Sequence, residues 1–214
     1  MIVNRKLSEF GEGIAGAFLI AAAFITPFSR YWRRWGATDE EVNRTLPGDD
    51  IVPHPNGGYT QAITVKCSPD DVWQWIAQVG QGRGGFYSYD FLENLVGCDI
   101  HTANRIVPEF QHDEKSEGIR LHPKMPPLPI TLLDPGRVLL IGAKMDPDTP
   151  VSWLFYLHGI DDNTTRLISR WSFEYKPGLL RTVAYSYILE PIACVMQRKM
   201  LLGIRKRAEN IKSF

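Results

Sequence analysis

Within residues 87–105 the chain gathers Tyr87, Asp90, Glu93, Asp99, His101 and Arg105, a mixture of acids, a base and hydrogen-bond donors. Taking a proton from carbon next to a carbonyl needs a general base and a donor to hold the enolate oxygen. Asp99 or His101 could serve as the base and Tyr87 or Arg105 as the donor, with Arg166, Arg170 and the Trp171 indole as additions from a later strand. Each also has a structural reading: Ser88 and Asp90 at a helix start, Glu93 on a solvated helix position, His101 and Asn104 as loop hydrogen-bonders, Arg105 as the ion-pair partner of Asp99. Ser88 lacks the Gly-x-Ser-x-Gly elbow of an activated nucleophile. The five histidines are scattered, and Cys67, Cys98 and Cys194 stand far apart with no Cys-x-x-Cys, so neither a metal set nor a cofactor is expected.

These groups follow a glycine-rich stretch in which Gly80-x-Gly82-x-x-Gly85 spells the dinucleotide-binding pattern. That fingerprint needs a strand before the glycines and a helix beginning within them, so that pyrophosphate meets a helix N-terminus. Here Ser68 to Val79 predicts a helix instead. Ser68 is a good N-cap, Pro69 fits the first turn, and Asp70 and Asp71 suit its positive end. The nucleotide reading is therefore rejected. A second helix is expected over Tyr89–Val96, with Ser88 as N-cap and Gly97 as terminator.

Strand signals flank these helices. Tyr59, Ile63, Val65 and Cys67 alternate with Thr60, Thr64 and Lys66, the period of a half-buried strand. Further strands are read at Ile130–Leu133, at Arg137–Ala143 after a Pro135-Gly136 turn, at Val151–His158, and at Leu167–Tyr175 after the Asp161–Thr164 turn. A short strand at Gly118–Leu121 is a weaker reading. Leu179 to Lys212 predicts a closing helix, bent or restarted near Pro191, which has no N–H to donate. At 100° per residue Ile192, Ala193, Met196, Met200, Ile204, Ala208 and Ile211 share one apolar arc, expected to face the sheet.

Several segments together resemble a known group. Trp35-Gly-Ala-Thr-Asp-Glu-Glu41, Leu46-Pro-Gly-Asp49, Gln78-Val-Gly-Gln-Gly-Arg-Gly-Gly-Phe-Tyr-Ser-Tyr-Asp90, Asp99-Ile-His101 and Met200-Leu-Leu-Gly-Ile-Arg-Lys-Arg-Ala208 are similar to bacterial SRPBCC proteins of the START-like, polyketide cyclase/dehydrase-related group, over residues 35–212. The resemblance implies an α+β helix-grip fold, an antiparallel sheet curled around a long C-terminal helix with an apolar cavity between them. Tyr87, Tyr89, Trp153, Phe155, Trp171 and Met196 are the expected contacts for a hydrophobic small molecule or lipid in that cavity. The superfamily spans lipid-transfer domains, hormone receptors and aromatase/cyclases. A cyclase or dehydratase using the same cavity, and an adaptor that binds another protein by its outer surface, therefore stand as alternatives.

The 24 basic residues balance the 24 acidic ones, and no basic run is interleaved with aromatics, so nucleic acid is not an expected partner. At the N-terminus, Gly13 to Ser29 carries no charge and would span roughly 25 Å as a helix, at the short end of what a bilayer requires. Tyr31, Trp32 and Trp35 with Arg30, Arg33 and Arg34 border it as an interface would. The expected organisation is a membrane anchor over 1–36, a Pro/Gly-rich linker over 37–58 with one helical turn at Thr38–Val42, and the helix-grip domain over 59–214, facing the cytoplasm. A signal peptide cut after Ala21-x-Ala23, and a helix packed on the domain or lying in the interface, are the competing readings of the first segment.

Overall fold

The computed structural model describes residues 2–23, 29–111, 118–144 and 149–210. Phe24 to Phe28 within the expected anchor, and Ile211 on the expected apolar arc, lie outside these. In order, the elements are α1 (Ile2–Ala23), α2 (Ser29–Arg33), α3 (Asp39–Asn43), β1 (Gly57–Val65), α4 (Pro69–Ala77), α5 (Asp90–Leu95), β2 (Ile130–Asp134), β3 (Val138–Lys144), β4 (Pro150–Asp161), β5 (Thr164–Phe173), α6 (Leu179–Thr182), a π-helical segment (Val183–Leu189) and α7 (Glu190–Asn210). The strands form one antiparallel sheet in the order β1-β5-β4-β3-β2. In place of a strand at Gly118–Leu121, Ile119 makes a single bridge to Leu128.

Register assigns the faces. Tyr59, Trp171, Trp153 and Ile141 lie side by side across four strands, and Gln61, Ser169, Phe155 and Leu139 form the next row on the same side. This inner face packs on α4 and α7 through Val72, Trp75, Ile76, Met200, Leu201, Ile204 and Ala208. Every buried aliphatic here removes about 1.5–3 kcal/mol worth of side chain from water, which is why period-two strands and a helix of period 3.6 close on one another.

The alternation of β1 breaks down, with Tyr59 through Ile63 all buried, because its outer face is covered as well. Residues 37–58, expected as a linker, lie along that outer face. Leu46 and Ile51 pack against Ala62, Val138, Leu140, Leu154 and Ile168. Two arginines of β5 hold them there. Arg170 uses all five of its N–H donors, on Thr60 Oγ1, the Asp49 carboxylate and the carbonyls of Arg44, Glu41 and Val42. Arg166 grips Glu41 with Nε and Nη2 at 2.7 and 2.8 Å. The expected helical turn forms as α3, started by a reciprocal cap between Thr38 and Glu41.

Pro191 acts as expected, and the form of the break is specific. The Glu190 amide reaches back five residues to the Tyr185 carbonyl, so the helix widens into a π segment before α7 begins. The buried side of α7 is rotated from the expected arc. Cys194, Val195, Gln197 and Leu201 are buried, while Ile192, Ala193 and Met196 are half-buried. The cause is a second layer: α1 packs on α7, and α2 packs on both α7 and the edge strand β1, so that Trp32, Leu19 and Ile20 join a cluster with Tyr59, Ala193 and Met196. α1 runs antiparallel to α7, since Glu12 pairs with Lys199 at 2.8 Å and Leu19 and Ile20 reach the cluster that holds Cys194. Gly13 and Gly16 let α1 also approach the start of α5, because a Cβ there would stand 2.7 and 2.9 Å from the Phe91 and Tyr89 rings.

Candidate functional site

The glycine stretch folds as a closed loop after α4, with Ser68 capping that helix and Pro69 in its first turn. The amides of Gly80, Gln81, Arg83, Gly84 and Gly85 donate respectively to the carbonyls of Gly85, Arg120, Gly80, Gln78 and Gly80. A phosphate cradle needs such amides pointing at the ligand. These are already paired. No helix starts among the glycines, and α5 begins only at Asp90.

Gln78, to which residue type and spacing assign no role, organises the loop. Fully buried, it donates to Tyr87 Oη at 2.9 Å and the Arg105 carbonyl at 3.2 Å, and it accepts from the Val107 amide at 3.0 Å and from Gln111 Nε2 at 3.3 Å. Both ends of its amide are thereby satisfied. The Tyr87 hydroxyl donates to the Trp75 carbonyl at 3.1 Å, and its ring packs edge-on against the Trp75 ring. Burial pushes the Tyr87 phenol far above its usual range, so it is neutral at physiological pH. Ser88, expected as the α5 cap, instead donates to the Met196 carbonyl at 3.0 Å, and the cap position falls to Tyr89 with no side-chain bond. The backbone direction set by Tyr87, at φ 55°, turns the Ser88 hydroxyl toward α7.

The aromatic residues converge on the inner sheet face. Trp153 and Trp171 are cross-strand partners with ring centroids 5.2 Å apart, Phe155 lies 4.8 Å from Trp153, and Phe86 of the glycine loop approaches Trp153 at 6.4 Å. Trp153 Nε1 donates to Ser169 Oγ, and Gln197 Nε2 of α7 donates to the Ser169 carbonyl. Sheet, glycine loop and C-terminal helix thus meet at one aromatic wall, in which Trp153 and Phe155 are buried and Trp171 and Phe86 half-buried. The fold is the START-like helix-grip. That is the architecture which the SRPBCC resemblance implies.

No protein-family model matches the chain, and no curated protein sequence matches it. Among solved structures the helix-grip domain is similar to a hypothetical protein from Helicobacter pylori, at 12% identity over 77% of this chain and 95% of the other, with a TM-score of 0.41. It is also similar to the Zhui aromatase/cyclase from Streptomyces sp. R1128, at 12% identity over 72% and 94% with a TM-score of 0.37. A norcoclaurine synthase from Thalictrum flavum matches at 16% identity over 73% and 96%, with a TM-score of 0.38.

The helix-grip separates the expected ligand residues into two groups. Tyr87, Trp153 and Phe155 belong to the cluster between sheet, α4 and α7, whereas Tyr89 and Met196 pack with Trp32, Tyr59, Cys194 and Val195 beneath α1. Trp171 touches both. The ionisable candidates stand apart from the wall. Asp99 Oδ1 and His101 Nε2 are 3.0 Å apart, but each side chain is 82% exposed. Arg105 is exposed too, and it enters the network only through its carbonyl. Arg166 and Arg170 point from the outer face into the 37–58 segment and cannot reach the interior. Asp90 binds Thr102 through its amide and hydroxyl. Burial first, and then the nearby Asp90 carboxylate, push the Glu93 pKa up to about 8. An open polar groove of ≈ 390 Å³, lined by Asp70, Arg137, Tyr156 and His158 among others, lies at the β2–β3 turn and includes none of the expected ligand residues.

Proposed function

We propose that the helix-grip domain binds a hydrophobic small molecule or lipid between its aromatic wall and α7. The observation that carries this reading is the row Trp171–Trp153 with Phe155 and Phe86, large apolar faces gathered on the gripping side, with Trp153 and Phe155 buried and Trp171 and Phe86 half-buried at its two ends. Aromatic faces supply apolar area with little conformational freedom to lose, as a small-molecule site requires. Tyr87 braces the wall through Gln78 and Trp75, while Tyr89 and Met196 approach a ligand from the α1 side of Trp171. Asp99, His101 and Arg105 are too exposed for a general base acting in a water-excluded pocket, so binding is preferred to a cyclase or dehydratase reaction. The N-terminal segment brings the domain to a membrane. Along α1, Phe10, Ile14 and Phe18 recur at four-residue spacing as one exposed apolar stripe, whose first member also meets the Phe91 ring edge-on.

Native mass spectrometry of the purified full chain tests the reading directly, with a co-purifying hydrophobic molecule as the expected result. A fluorescent fatty-acid or sterol probe should lose about tenfold or more in affinity with Trp171→Ala, for the loss of roughly 1.5–3 kcal/mol of apolar contact. His101→Ala should leave it unchanged. Turnover of a polyketide-like substrate that is abolished by His101→Ala and Asp99→Asn would replace binding by catalysis.

A further inference from the structure

The α6–π segment, residues 179–189, leaves an apolar surface that neither the core nor the aromatic wall uses. Leu179 and Leu180 are 86% and 83% exposed, and Val183, Tyr187, Ile188 and Leu189 lie between 41% and 61%. Single exposed apolar side chains are ordinary on a soluble protein, but six large ones in eleven consecutive residues form a patch that needs a partner. The segment is firmly placed. On its inward side Tyr185 stacks on Tyr175 with centroids 4.8 Å apart and planes 15° apart, it also meets Phe173, and Ser186 Oγ lies 2.9 Å from Tyr175 Oη.

From these observations we infer that residues 179–189 form an edge that inserts into the surface of an anionic bilayer. Charge selects this occupant. Between Glu174 and Glu190 the chain carries Lys176 and Arg181 and no acidic residue. Glu190 itself is turned inward, where it pairs with Arg33, so it does not oppose an anionic surface. Basic residues beside exposed leucines match lipid headgroups above acyl chains, and Tyr187 is amphipathic in the way interfacial positions favour. The backbone is compatible with insertion from Thr182 onward, where the amides bond within the helix, while the uncapped first turn at Leu179–Arg181 keeps its amides among the headgroups. Position agrees as well: because α1 runs antiparallel to α7, its apolar C-terminal half heads toward the same end of α7. The run Leu179–Asn210 is, among the described helices, the one long and apolar enough to cross a membrane, but its α7 part is committed to the sheet. Insertion of the exposed edge uses the apolar character that remains. This edge is separate from the stripe on α1 and does not depend on a ligand behind Trp171.

The test is made on the full chain. In a Cys98→Ser background, where Cys67 and Cys194 are buried, Leu180→Cys is labelled with an environment-sensitive dye and mixed with phosphatidylcholine vesicles, with or without about 30 mol % phosphatidylglycerol. Ile160→Cys, exposed at the far end of β4, is the control site. A blue shift at 180 but not at 160, on the anionic vesicles, is expected. Unlabelled Leu179→Ser/Leu180→Ser should lose about tenfold in vesicle partition, because two leucines leave the interface, with an unchanged melting temperature. A label at 180 that stays in water while the protein sediments with vesicles overturns the inference and leaves the N-terminal reading intact. Equal binding by the double variant overturns it too, as does self-association in place of vesicle binding, which would assign the edge to a second copy of the chain.

Discussion

Arg33→Ala probes the joint where the N-terminal helices, β1 and the start of α7 meet. Glu190 is 1% exposed at its side chain, and its carboxylate accepts from Arg33 Nε and Nη2 at 3.0 Å each and from the Gly58 amide at 3.3 Å. Burial raises the Glu190 pKa above its usual value, and the Arg33 charge and Gly58 amide oppose that rise only in part. Removing the partner of a fully buried charge costs about 3–5 kcal/mol, but Arg33 is 43% exposed, and water reaching the site reduces the expected loss to about 2 kcal/mol. For a chain of this size that corresponds to a fall in Tm of about 4–8 °C at pH 8. The sign of the pH dependence follows from linkage. A carboxyl whose folded-state pKa exceeds its unfolded value weakens the fold as pH rises through that interval, and protonation restores it as pH falls. Without Arg33 the interval widens upward. The deficit of Arg33→Ala should therefore shrink to under about 1 kcal/mol near pH 5, and adding Glu190→Gln should remove most of it at pH 8. Thermal melts of the wild type, the single variant and the double variant at both pH values read this out. An equal deficit at pH 5 and pH 8, or no recovery with Glu190→Gln, would refute the account.

Gly84→Ala should destabilise the fold by more than Gly82→Ala, because its Cβ would stand 2.7 Å from the Gln78 carbonyl oxygen whereas Gly82 faces open space and carries only the strain of φ 74°; denaturant melts compare the two. Titration with NAD, FAD or ATP should release no heat, and micromolar affinity for any of them would reopen the nucleotide reading of the glycine stretch. Phe10→Ser/Phe18→Ser should shift the full chain from the membrane fraction toward the soluble one at low salt, and an unchanged distribution would remove α1 from the account of membrane association.

The strands and the capped helix α4 were legible because their signals are local. Period two in β4 and β5, Ser68 ahead of Pro69, and the Pro135-Gly136 turn each act within a few residues. The break at Pro191 was local in the same way, since one missing N–H sufficed to mark it. What escaped were polar residues whose partners lie far along the chain. Gln78 reaches Arg105 and Val107, Glu190 reaches Arg33 across 157 residues, and Arg170 reaches Asp49 across 121. Nothing in the type or spacing of a lone glutamine marks it as buried with every hydrogen bond satisfied, and a basic residue on a strand looks the same whether it faces water or a covering segment.

The division of the expected ligand residues has a related physical origin. An amphipathic pattern reports how many sides of a helix avoid water, but not which neighbour covers each side. α7 is gripped by the sheet on one side and roofed by α1 on another, with α2 bridging from α7 to β1, so an arc centred on Met196 merged two coverings into one. Met196 and Tyr89 fell under the roof, while Trp153 and Phe155 fell under the grip. Trp171 belongs to both because β5 lies between them, paired to β1 on one edge and β4 on the other. A ligand entering at Trp171 would therefore press on the sheet core and on the layer that carries α1 at once. Affinity at the aromatic wall and the seating of α1 should then be coupled, which fluorescence-detected probe binding to Gly16→Leu would reveal: that side chain forces α1 away from Tyr89 without touching the wall. Unaltered probe affinity in a variant whose α1 has lifted would show that the two layers act independently.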